Sequence, residues 1–173
     1  KNGMVHMTTN LYTAEQVREL DRIAIEDHGV DGFQLMQKAA RFAFHTLVKY
    51  WPECKNIHVF CGSGNNAGDG YILAGIAKKR GFNVKLHYLS PPENLKNDAL
   101  LAYRYSQEAN VSCQPFTYES THTLMTNKTF VIIDAILGTG LNSEVTGQYK
   151  QAINLCNQSH APTLSIDIPS GLS

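Results

Sequence analysis

The chain has no excess of charge: its 15 basic and 15 acidic residues cancel. A surface built for phosphate backbones or anionic lipid would show as a basic surplus, so neither nucleic acid nor a membrane is indicated as a partner. No apolar run approaches the length of a membrane span, and no charged, then apolar, then small-residue leader opens the chain. Cysteine is sparse. Cys54, Cys61, Cys113 and Cys156 form no CxxC pair and no metal-like cluster with histidine. They read as free thiols in a reducing compartment, which points to the cytoplasm. Internal repeats, low-complexity tracts and linkers are absent, and the length suits one domain with a sizeable core.

What is present is alternation. Ile57 to Cys61 is a short apolar strand, and Tyr71 to Arg80 follows with a helical pattern that ends on Lys78, Lys79, Arg80 and Gly81. Strands are expected again at 83–89 and 130–134 and within 162–168, with helices at 95–110 and 147–158 between them. Strand and helix in turn imply a mostly parallel sheet covered on both faces, a Rossmann-like three-layer αβα sandwich of the α/β class. Two extra N-terminal helices precede it. Thr13-Ala14-Glu15-Gln16 reads as a capping box for the first, and the second runs from about Gly32 to Tyr50, where Trp51-Pro52 stops it. Residues 1–9 read as a leader or expression remnant, and residues 10–173 as the domain. The chain stops at Ser173, directly after the loop that should follow a buried strand, so a domain shortened at its C-terminus is expected.

Three segments occupy one position in this architecture, each just beyond the C-terminal end of a strand. They are the turn Asn65-Asn66-Ala67-Gly68-Asp69-Gly70, the segment Asp134 to Leu141, and Asp167-Ile168-Pro169-Ser170-Gly171. Ligands of open parallel sheets bind at that edge, so the three converge on one crevice. Gly62-x-Gly64-x-x-Ala67 matches the dinucleotide fingerprint in form. The acidic residue that should close the second strand is missing, however: Tyr88-Leu89-Ser90 carries no carboxylate before Glu93. A hydride-transfer site is therefore disfavoured. Gly138, Thr139 and Gly140 offer consecutive N–H groups that suit a phosphate. Asp134 and Asp167, at the ends of apolar strands, suit acid/base work, and oxygen donors such as Asn66, Asp134 and Ser170 suit a hard cation. No nucleophile elbow or Ser-His-Asp arrangement is found, and the histidines at 28, 45, 58, 87, 122 and 160 read as ordinary core or surface residues.

At these residues the chain resembles the NAD(P)HX epimerase family, the YjeF N-terminal domain. The family's NNGGDG motif stands here as Asn65 to Gly70, its DA-x-x-G-x-G segment as Asp134 to Gly140, and its D-x-PSG segment as Asp167 to Gly171. Leu35-Met36-Gln37-Lys38-Ala39-Ala40 is similar to its LMExAG helix. The resemblance implies interconversion of the R and S hydrates of NADH and NADPH at C6 of the nicotinamide ring, a step in nucleotide repair. It implies a potassium ion held by Asn66, Asp134 and Ser170. It implies a substrate site lined by Asn65, Asn66, Ala67, Gly68, Asp69, Gly138, Thr139, Gly140, Leu141, Asn142, Ser143, Glu144 and Asp167. The chemistry of a C6 hemiaminal then makes Asp134 the expected catalytic acid and base. An ADP- or ATP-dependent dehydratase is the implied partner, fused to this domain in many bacteria, and the exposed N-terminal helices are a candidate homodimer surface. A non-catalytic binding module is the alternative, since relatives of this domain serve as scaffolds. Two positions depart from the family pattern: Ala67 and Ala40 stand where it has glycine.

Overall fold

A computed structural model describes residues 8–10, 32–126, 129–136 and 147–166. Its elements are, in chain order, β1 (Thr8–Asn10), α1 (Gly32–Tyr50), β2 (Asn56–Cys61), α2 (Gly64–Lys79), β3 (Asn83–Tyr88), a short 3-10 turn (Pro92–Asn94), α3 (Asn97–Glu108), β4 (Ser112–Pro115), α4 (Tyr118–Leu124), β5 (Val131–Ala135), α5 (Gln148–Gln158) and β6 (Thr163–Ser165). The strands form one sheet in the order β1-β6-β5-β2-β3-β4, and every pairing among them is parallel. Read from β2, the chain adds β3 and β4 on one side and β5 and β6 on the other. The order therefore reverses between β2 and β5, and the crevice of such a fold opens at that reversal.

Both faces of the sheet are covered, which is why β2 and β5 read as nearly continuous apolar runs. One face carries Ile57, Val59, Val84, Leu86, Val131 and Ile133 under α2 and α3. The other carries Phe60, Phe116, Ile132 and Ile136 under α5. Helix α2 is buried on nearly all sides, since α1 and α3 pack on it while it packs on the sheet. Small residues permit this: a β-carbon at Gly68 would lie 2.8 Å from Met36 Sδ of α1 and 3.3 Å from Ala99 Cα of α3.

The structure departs from the sequence reading in three places. Helix α2 starts at Gly64, so the Asn65–Gly70 motif is helical rather than a loop. Thr8 and Thr9, read as part of a leader, belong to an edge strand in register with Thr163 and Leu164 of β6. Strand β4 and helix α4 were not foreseen. The first N-terminal helix falls outside the described residues.

Two histidines lie inside the α5-facing core rather than at the surface. His58 Nδ1 and His87 Nε2 are 2.9 Å apart, with Phe130 edge-on to His58 and Phe60 tilted against His87. Burial, then the neighbouring His58, pushes the His87 pKa down to about 3.

Candidate active site

The site begins where β2 ends. The Gly62 N–H donates to the Ala135 carbonyl at 3.0 Å, which carries the β2–β5 ladder one residue beyond the strand. A side chain there would overlap the Ile136 carbonyl, so only glycine lets the two chains pass this closely. Ser63 is extended, and Gly64 turns the chain into α2 with φ +77°, a left-handed conformation that favours glycine. The result aims the N-terminus of α2 at the β2–β5 crevice.

Two residues one helical turn apart then define the contact. A β-carbon on Gly70 would stand 2.7 Å from Ala135 Cβ and 2.8 Å from Cys61 Sγ, so that turn of α2 lies directly on the ends of β2 and β5. Asn66, four residues earlier, shares this face of the helix and sits one turn nearer the crevice. Its side chain is buried, and neither its Oδ1 nor its Nδ2 has a hydrogen-bond partner among the described residues. A buried amide in that condition costs about 1–3 kcal/mol, a cost that a ligand supplying partners would remove.

Asp134 stands on the facing strand, in register with Phe60 of β2 and Ser165 of β6. It is half-buried. The Ile136 N–H donates to its Oδ1 at 3.0 Å, and the Ile166 N–H holds its backbone carbonyl at 2.9 Å. Burial raises the Asp134 pKa above the ordinary carboxylate value, and the Ile136 N–H partly opposes that rise. A carboxyl balanced this way can carry a proton and give it up. Cys61 is fully buried at the end of β2, beneath Gly70 of α2. Its thiol pKa is pushed well up by burial first, then by Cys113, Asp134 and Asp69.

The remaining expected residues divide. Asn65 is exposed at the start of α2, and Asp69 is fully buried in its second turn. The Ala67 methyl lies in the apolar core, so the alanine found where the family has glycine fills packing space. Gly68 faces α1 and α3. Gly138, Thr139, Gly140, Leu141, Asn142, Ser143, Glu144, Asp167 and Ser170 lie outside the described residues. Sequence reasoning quoted Gly62 and Gly70 within glycine motifs but missed their packing roles, the close pass of β2 by Ile136 and the seating of α2 on Ala135 and Cys61.

Residues 32–173 match the model of the YjeF-related protein N-terminus. The chain belongs to this family. Curated relatives include the bifunctional NAD(P)H-hydrate repair enzyme Nnr of Coxiella burnetii, 38% identical over 95% of this chain and 33% of that protein. They also include the NAD(P)H-hydrate epimerase of Levilactobacillus brevis, 32% identical over 93% of this chain and 72% of that protein. The chain spans about a third of the length of the bifunctional relatives it matches. The crystal structure of yeast ynu0, YNL200c, superimposes with a TM-score of 0.70 at 21% identity, covering 95% of this chain and 71% of the yeast chain. That likeness establishes the fold: this YjeF-related domain is a Rossmann-like α/β sandwich.

Proposed function

We propose that this domain is an NAD(P)H-hydrate epimerase, interconverting the R and S forms of NADH and NADPH hydrated at C6. Family membership and the relatives' activities support the reading. The observation that carries it is the buried amide of Asn66, unpartnered among the described residues, in the first turn of α2, the helix that packs on the ends of β2 and of β5, the strand of Asp134.

The chemistry asks for one group that can give and take a proton. The C6 hydroxyl of the substrate is a hemiaminal, bonded to the carbon beside the ring nitrogen. Asp134, held toward its acid form by burial, protonates that hydroxyl as the nitrogen lone pair expels it as water. C6 becomes planar in the resulting iminium. Water then adds to either face and returns its proton to the Asp134 carboxylate, so no atom is gained or lost. The Ile136 N–H orients the carboxylate throughout.

A potassium ion fits the donors present. The Asn66 amide oxygen is buried without a partner among the described residues, and the Asp134 carboxylate ends the neighbouring strand β5; both are oxygen donors of the kind a hard cation takes. Asn66, Asp134 and Ser170 would hold it, and it would supply positive charge that orients substrate oxygens. Partners proposed on the same footing are a dehydratase that consumes the S form, fused or separate, and a second copy of this chain docked through the N-terminal helices. The four described cysteines are free, which agrees with a cytoplasmic setting. No described helix is long and apolar enough to cross a membrane. The test is the Asp134→Asn variant: its epimerisation should fall to the spontaneous rate with the fold intact, and retained activity would remove Asp134 from the mechanism.

A further inference from the structure

A second polar concavity lies away from the β2–β5 crevice. It is a cleft of about 230 Å³ between α1 and α2, closed at one side by Tyr105 of α3. Its rim is formed by Gln37, Arg41 and His45 of α1 and by Arg80, which follows the last turn of α2. Its floor is Phe44, Ile72 and Ile76. Among the described residues no carboxylate lines it. Asn66 and Arg80 are separated by fourteen residues of α2, roughly 20 Å at the helical rise, so this cleft and the candidate active site are distinct places.

The two arginines are exposed and free to take a ligand. Arg41 makes only an in-helix contact, its Nε reaching the Gln37 carbonyl at 3.4 Å, and neither guanidinium has an ion-pair partner among the described residues. Nor does Arg80 serve the helix end with its side chain. The last carbonyls of α2 are taken by backbone N–H groups: Arg80 on Ile76 and Ala77, Gly81 on Lys78, and Phe82 on Ala77. Lys79 adds a third cation, its Nζ 4.3 Å over the Tyr105 ring. The negative end of the α2 dipole, about half a charge, offsets only part of this field. Forked guanidinium groups facing one cleft match a phosphate, and the aromatic and aliphatic floor suits a flat or aliphatic body attached to it.

We propose that the α1–α2 cleft binds a small organic phosphate through Arg41 and Arg80, as a site separate from the epimerase centre. The proposal does not rest on the epimerase reading. The test uses the whole chain labelled with nitrogen-15, following the Arg Nε–H signals during titration with AMP, inorganic phosphate and adenosine. AMP should give saturable shifts of the Arg41 and Arg80 signals, assigned through the single Gln variants. Inorganic phosphate should act at the same signals more weakly, and adenosine should leave them unmoved. The Arg41→Gln/Arg80→Gln double variant, both changes being at exposed positions, should weaken AMP binding at least tenfold while its circular dichroism stays that of the parent. Absence of saturable shifts at millimolar AMP would overturn the proposal. So would AMP binding of unchanged strength in the double variant, or adenosine binding as well as AMP.

Discussion

The buried pair His58–His87 should make this fold sensitive to acid in a way that one substitution removes. His87 is fully buried, and its pKa falls from 6.5 to about 3 because burial, His58 and Lys85 all disfavour the charged ring. Between those values the unfolded chain holds a proton that the folded chain does not. Stability is therefore complete above pH 6.5 and declines as pH falls toward 3, with a slope approaching 1.36 kcal/mol per pH unit. From neutrality to pH 5 the loss attributable to this ring is about 2 kcal/mol, a large part of a typical domain's stability. Asp134 works in the opposite sense. Its raised pKa means that the folded state takes up a proton first as pH falls, which favours folding in acid. The quantity to measure is thus the difference between parent and variant. Urea denaturation followed by circular dichroism at half-unit steps from pH 7.5 to 4.5 would give it. His87→Leu should be less stable at neutral pH, because it removes the buried 2.9 Å hydrogen bond between the two rings. It should nevertheless close the gap by about 2 kcal/mol at pH 5. Parallel curves for parent and variant would refute the reasoning.

Other expectations follow from the same geometry. Gly62→Ala should cost about 1–3 kcal/mol in thermal unfolding and reduce epimerisation, because the added carbon displaces Ile136, whose N–H holds Asp134. Cys61 and Cys156, buried and with thiol pKa values raised, should resist a thiol reagent in the native protein and react only as fast as the fold opens, seen by timed mass spectrometry. Exchange of potassium for tetramethylammonium should lower the epimerisation rate, checked by restoring potassium to the same sample.

Much of this was legible in the sequence because burial writes itself into apolar runs. Strands β2, β3 and β5 were placed within a residue, since a parallel strand covered on both faces has no polar alternation to confuse it. Edge strands carry no such signal. Thr8–Asn10 and Ser112–Pro115 are polar or broken by proline, and only tertiary pairing makes them strands. The start of α2 was missed by seven residues for a related reason. Gly64-Asn65-Asn66-Ala67-Gly68-Asp69-Gly70 is poor helix sequence by propensity, yet Gly68 lets the helix lie on Met36 and Ala99, and Gly70 lets it lie on Ala135. Asn66 and Asp134 stood out in the sequence as candidates because one follows and the other closes an apolar run, and the structure puts Asn66 in the first turn of α2 and Asp134 near the end of β5. The pairing of His58 with His87 was not legible in the sequence, because it arises from the β2–β3 register between residues far apart in the chain.

The most direct test of the central claim is to mix purified R-NADHX with the chain in potassium buffer and resolve the two epimers by chromatography over time. Equilibration faster than the spontaneous rate, abolished in Asp134→Asn with the fold retained, is the predicted result. No acceleration over the spontaneous rate, from this chain and from a longer version extending beyond Ser173, would contradict the epimerase account and leave a binding module in its place.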